Sequence, residues 1–84
     1  MTYKRRNQGT CSSTTTVEMN QDGIITHIAV DDGCDGNLKG VCALLRGRSA
    51  REAIPVLEGI RCEDKPTSCP QQIALCLSEA LEKL

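Results

Sequence analysis

The chain contains one tyrosine and neither phenylalanine nor tryptophan, so its core must be built almost entirely from aliphatic side chains. Aromatic side chains normally supply much of the buried area of a small domain. A chain of 84 residues forms one small domain, and a domain this short buries only about 60% of the surface that its unfolded form exposes. Such a thin core needs further stabilisation, and the six cysteines are the unusual resource available for it.

What the cysteines can do depends on the compartment. The N-terminal sequence MTYKRRNQGT starts with charged residues and has no apolar segment behind them, so we expect no secretory signal and a cytoplasmic protein. In a reducing compartment this density of cysteine indicates metal binding or thiol chemistry more often than disulfides. No run is apolar and long enough to span a membrane. The net charge of −1 argues against a nucleic-acid partner.

The first third of the chain predicts β-strands. Residues 13–19, STTTVEM, and residues 24–30, IITHIAV, are rich in β-branched types, and the NQDG sequence between them is typical of a turn. We therefore expect a β-hairpin, with residues 3–6 as a further strand at the edge of the same sheet.

The rest of the chain follows a helical period. One apolar stripe recurs at the spacing of a single helix face, at Leu38, Val41, Cys42 and Leu45. Asp35 is the expected N-cap of this helix and Gly47 its stop. Ser49 and Glu52 predict a capping box for a second helix over 50–57, which Pro55 should shorten or kink.

A last helix is expected over 70–83, capped by Ser68 or Cys69 and carrying proline at its first position. Strands thus precede helices along the chain. This order predicts an α+β fold, in which a small antiparallel sheet of about three strands is followed by helices packed on one face.

Position divides the six cysteines into two groups. Cys42 and Cys76 lie on the apolar stripes of expected helices, and we interpret both as small core residues. The other four lie at turns or at the ends of elements: Cys11, Cys34, Cys62 and Cys69. Loops held by a rigid scaffold often carry chemistry. Two of the four precede helices, where free N–H groups and the helix dipole favour a thiolate.

Four converging thiolates would suit tetrahedral Zn²⁺ or an iron–sulfur cluster, and a bound metal would also stabilise a thin core. The spacing contains no C-x₂-C pair and matches no generic zinc-finger pattern. Three interpretations therefore stay open. The first is a metal site at Cys11, Cys34, Cys62 and Cys69, and the second is a reactive dithiol among these four residues. The third is that they are plain buried thiols.

Several short motifs follow one another in a familiar order: GTCS (9–12), DGII (22–25), GCDGNLKG (33–40), GIRC (59–62) and TSCPQQIA (67–74). This order resembles the TSCPD-domain family over nearly the whole chain, 1–84. Gln71 stands where the name-giving motif has Asp. The resemblance implies a thiol- or metal-binding accessory module. Such a module also ends adenosylcobalamin-dependent ribonucleotide reductases, which makes a ribonucleotide reductase of deoxyribonucleotide synthesis one candidate partner, without implying catalysis by this chain.

The same order of motifs is similar, more distantly, to iron–sulfur scaffold proteins of the IscU/NifU type. Their cluster-ligand cysteines would correspond to Cys11, Cys34 and Cys69. The resemblance implies an IscU/NifU-like fold and an iron–sulfur assembly protein as a second candidate partner. Those scaffolds carry Asp and His where Ser13 and Ser68 stand here. With Cys62 added, the site would be a closed set of four thiolates, which is typical of a stably occupied centre.

Overall fold

The computed structural model describes residues 1–33, 35–60 and 67–84, with the backbone alone for Asp35. Within these residues three strands precede three helices: β1 (Thr2–Arg6), β2 (Ser12–Met19), β3 (Ile25–Asp32), α1 (Asp35–Leu45), α2 (Ala50–Leu57) and α3 (Cys69–Glu82). The described strands form an antiparallel sheet in the order β1-β2-β3. The predicted α+β architecture is therefore confirmed, including the hairpin and the additional edge strand.

One face of the sheet is buried under the helices. Along β2 the side chains of Thr15, Val17 and Met19 are buried, whereas Glu18 between them is exposed, as the period of a half-buried strand requires. Both β1 and β2 contact α3, and β3 contacts α1. The resulting core is aliphatic and includes Val17, Ile28, Leu45, Ile73 and Leu77.

The N-terminal capping of α1 and α2 departs from the sequence prediction, although α2 has the predicted bounds of 50–57. Helix α1 begins at Asp35 itself, so the prediction that Asp35 is its N-cap is wrong, a difference of one position. Gly47, with φ of 84°, follows the end of α1 as predicted. Ser49 does cap α2, but its side chain makes no capping hydrogen bond, so the capping box is wrong.

Tertiary pairing explains the missing capping box. The backbone of residues 47–50 runs beside the start of β3, where Ile25 donates to the Arg48 carbonyl at 2.9 Å and accepts from Gly47 N–H at 2.7 Å. Ser49 itself forms an isolated bridge with Ile24. These long-range contacts fix the entry of α2 without the local side-chain bond. Pro55 lies inside α2 without ending it, since the helix continues to Leu57.

Helix α3 begins one residue earlier than predicted. Ser68 is the N-cap, and its Oγ accepts the Gln71 N–H at 3.2 Å. Cys69 is the first helical residue and Pro70 the second, a position that needs no N–H donor. The apolar period of this segment predicts a buried stripe at Ile73, Cys76, Leu77, Ala80, Leu81 and Leu84. The first five are buried or partly buried, but Leu84 is exposed, so the prediction is wrong for that residue.

Candidate functional site

The site is built around the first residue of α3. The Sγ atom of Cys69 lies 3.0 Å from the Oγ atom of Ser12, which opens β2. Cys69 is partly buried, and Ser12 is buried. Because Cys69 opens a helix, free backbone N–H groups and the positive end of the helix dipole lie close to its sulfur.

A buried polar network holds Ser12 in place. Asn7 Nδ2 donates to Ser12 Oγ at 2.9 Å, and Thr15 Oγ1 donates to Asn7 Oδ1 at 2.8 Å. Thr10 Oγ1 lies 3.1 Å from Ser12 Oγ. Since Asn7 donates into the Ser12 oxygen, the hydroxyl hydrogen of Ser12 can point at the sulfur of Cys69. A network with all its members satisfied fixes side-chain positions.

Sequence reasoning missed this network. Asn7 is interpreted from the sequence as a turn residue, Ser12 lies outside the predicted strand 13–19, and Thr15 is an ordinary member of that strand. One signal was available for Thr15, which shares the two-residue period of the inward apolar residues Val17 and Met19. Ser12 does not share this period, and it is buried where the register with β3 shifts between Ser12 and Thr14. A polar residue at an inward position needs a partner.

The loop that carries Cys11 is tied to α3 by Gln72. The Oε1 atom of Gln72 accepts from Arg5 Nη1 at 2.7 Å and from the Gln8 N–H at 3.0 Å, and its Nε2 donates to Thr67 Oγ1 at 3.0 Å. Gln72 is itself buried. The β1–β2 connection therefore lies against the residues that open α3.

Gly33, the residue before Cys34, also meets Ser12. Its φ is 84°, and a Cβ atom placed on it would lie 3.1 Å from the Ser12 Cβ and 3.2 Å from the Ser12 Cα. A side chain at this position would therefore press on Ser12, which glycine avoids because it has no Cβ atom. The backbone just before Cys34 thus packs on the residue just after Cys11.

The chain that leads to Cys62 is fixed at the same end of the molecule. Ser68 Oγ donates to the Ile60 carbonyl at 2.6 Å. Gln71 Oε1 accepts the Gly59 N–H. Gln71, which stands in place of the acidic residue of the TSCPD motif, therefore uses its amide to hold the start of the α2–α3 connection.

Of the four predicted ligands, Cys11 and Cys69 are described, and Cys34 and Cys62 lie outside the described residues. Sequence neighbours of all four nevertheless meet near the N-terminus of α3. Among the described residues, no group of three or more His, Cys, Asp or Glu side chains could hold a metal ion. The metal site at Cys11, Cys34, Cys62 and Cys69 therefore stays a prediction.

The other two cysteines lie in the core, as predicted. Cys42 and Cys76 are buried. Burial raises the pKa of the Cys42 thiol, and it raises the pKa of Cys76 to about 11. Both thiols are therefore protonated at neutral pH, and the Cys76 sulfur lies 3.7 Å from the Thr15 carbonyl oxygen.

The core cysteines and the cysteines near the site should react with an alkylating agent at different rates. With iodoacetamide at pH about 8, we expect Cys76 to react about 100-fold more slowly than an ordinary thiol, because its raised pKa suppresses the thiolate. Cys11, which is exposed, and Cys69 should react first. Peptide mass spectrometry after short pulses measures the order. Unfolding in urea is the control that should equalise all sites, and equal rates of Cys69 and Cys76 in folded protein would contradict the assignment.

Comparison with known proteins gives a family match. A family model described as the TSCPD domain matches residues 1–81. No curated protein and no solved structure matches the chain. The similarity to iron–sulfur scaffolds therefore stays a prediction. No helix in the described part of the chain is long and apolar enough to cross a membrane.

Proposed function

Because the chain belongs to the TSCPD-domain family, we propose that it is a small module that binds a metal ion or an iron–sulfur cluster through Cys11, Cys34, Cys62 and Cys69. The contact that carries the proposal is the 3.0 Å approach of Ser12 Oγ to Cys69 Sγ. It joins the residue after one predicted ligand to the sulfur of another. We infer that the protein acts as a scaffold, carrier or accessory domain in the cytoplasm, where reduced thiols persist.

The chemistry of the donor set fits Zn²⁺ or an iron–sulfur cluster. Both are bound by thiolates, and Cys69 offers its sulfur at a helix N-terminus beside the hydroxyl of Ser12. When bound, the metal would cross-link three connections of the chain, namely β1–β2, β3–α1 and α2–α3. A site of four thiolates leaves no open coordination position, so binding or carriage fits it better than catalysis.

Ser12 would tune this site through Cys69. We expect Ser12→Ala to lower the affinity for Zn²⁺ by about 10- to 100-fold, because it removes the hydroxyl that supports the sulfur. Competition with a chromophoric chelator measures the affinity. Ser13→Ala is the matched control, since the Ser13 hydroxyl bonds the Asp31 carbonyl on the exposed side of the strand. An equal Zn²⁺ affinity in both variants would mean that Ser12 does not contribute to metal binding.

The direct test of the function is elemental analysis of protein purified without oxygen, together with its ultraviolet–visible spectrum. Stoichiometric zinc without visible absorption supports a closed zinc site. Stoichiometric iron with charge-transfer bands supports a cluster, and would make an iron–sulfur assembly protein the partner to look for. A fully folded protein that contains neither metal contradicts the proposal.

A second candidate function is thiol–disulfide exchange in the service of a ribonucleotide reductase. The observation that favours it is that Cys11 is exposed, while its neighbour Ser12 touches Cys69. Oxidation would join the two sulfurs and pass two electrons and two protons to a partner disulfide. Dithiol oxidation of metal-free protein in a redox buffer, followed by mass spectrometry, tests it.

A purely structural interaction domain is the third candidate. Serine at Cys11, Cys34, Cys62 and Cys69 together would then leave stability and partner binding nearly unchanged. If this variant instead loses stability that added metal no longer restores, the structural interpretation is wrong.

A further inference from the structure

An apolar groove lies between α1 and α2, outside the thiol site. Leu44 on α1 is 69% exposed and Val56 on α2 is 72% exposed. They flank a cavity of about 280 Å³ whose other apolar lining includes Leu45, Ala53 and Leu57. The other exposed large apolar side chains among the described residues are Ile60 and two at the chain ends.

The groove leaves the apolar side chains of Leu44 and Val56 in contact with water instead of burying them in the core. Single exposed apolar residues are common on proteins, but two that flank an apolar cavity form a contiguous patch, which indicates an interaction surface. None of the lining residues belongs to the network around Cys69. The groove is therefore a separate surface.

The charged residues of the groove carry opposite signs. Arg48 and Glu52 both line it. Arg48 is oriented by a 2.9 Å hydrogen bond from its Nε to the Leu44 carbonyl. Neither side chain forms an ion pair within the described part of the chain. A partner of a single charge sign would leave one of them opposed by a like charge, whereas a surface that also carries one of each sign can match both.

We propose that this groove is the interface of a homodimer with a two-fold axis along the groove. The axis stacks α1 of one copy on α2 of the other. Leu44 then faces the second copy's α2 and Arg48 its acidic residue, and each contact occurs twice because a two-fold interface is self-complementary.

Charge reversal tests this arrangement. Arg48→Glu alone places two acidic side chains opposite each other, and Glu52→Arg alone places two basic ones. In an equimolar mixture of the two variants, every facing pair is of opposite sign. We expect the wild-type chain to dimerise between micromolar and millimolar concentration, each variant to stay monomeric over the same range, and the mixture to form a heterodimer. Sedimentation equilibrium with a disulfide reductant measures all four samples.

Two controls keep the test independent of folding and of net charge. Glu82→Arg makes the same change of charge as Glu52→Arg on the exposed end of α3 and should leave the dimer intact. Leu44→Glu alters an exposed side chain, so circular dichroism should stay unchanged while the dimer is lost. A wild-type chain that is monomeric at millimolar concentration overturns the proposal. So does a mixture of the charge-reversed variants that stays monomeric.

Discussion

Replacing Cys69 by serine is expected to abolish stoichiometric metal binding, whereas alanine at Cys76, on the same helix, should leave the metal content unchanged. Serine keeps the size of the side chain but supplies no thiolate at neutral pH. Changes outside the ligand set typically reduce metal affinity by 10- to 100-fold, so loss of a ligand should exceed about 100-fold. Elemental analysis and chelator competition on anaerobically purified variants measure the difference.

Metal content, rather than stability, separates these two variants. Cys76→Ala truncates a fully buried core residue and lowers the stability on its own account. Cys69→Ser should lower the melting temperature only of protein that would otherwise hold metal. A chelator added to the wild-type protein should therefore reproduce the stability of Cys69→Ser and have no effect on that variant. Unchanged metal content in Cys69→Ser would contradict the proposed ligand set.

Most of the fold could be predicted because its signals are local. The β-branched runs, the NQDG turn and the apolar stripes specify the elements within a residue or two of their observed bounds. The predictions that were wrong concern the ends of helices. Ser49 offered a local capping bond, but the pairing of its segment with Ile24 and Ile25 at the start of β3 fixed the backbone instead.

The candidate site could be predicted only in part. Helix position separated Cys42 and Cys76 from the remaining cysteines, since periodicity is a local property. The approach of Ser12 to Cys69 spans 57 positions in the chain. It depends on how β2 and α3 dock in three dimensions, which no local pattern specifies. Asn7 becomes significant only after this docking, because its partners Ser12 and Thr15 then share the buried side of the sheet.

Alanine at Gly33 is expected to damage the site far more than alanine at Gly47. Both glycines have φ of 84°, so both substitutions share a backbone penalty of about 1 to 2 kcal/mol. At Gly33 the new Cβ would meet the Ser12 backbone at 3.2 Å, while at Gly47 it would meet nothing within 4 Å. Overpacking should add about 1 to 3 kcal/mol at Gly33 alone. Urea unfolding of metal-free protein measures both losses of stability.

The matched backbone conformation makes this pair informative about function. Any excess effect of Gly33→Ala over Gly47→Ala reports the packing of Gly33 on Ser12 and on the Leu38 side chain, because the strain of the positive φ cancels. If the site depends on that packing, the Zn²⁺ affinity falls in Gly33→Ala and stays at the wild-type value in Gly47→Ala. A Gly33→Ala protein that is less stable but binds metal normally would separate the packing at Ser12 from the site, and the ligands would have to be held by other contacts.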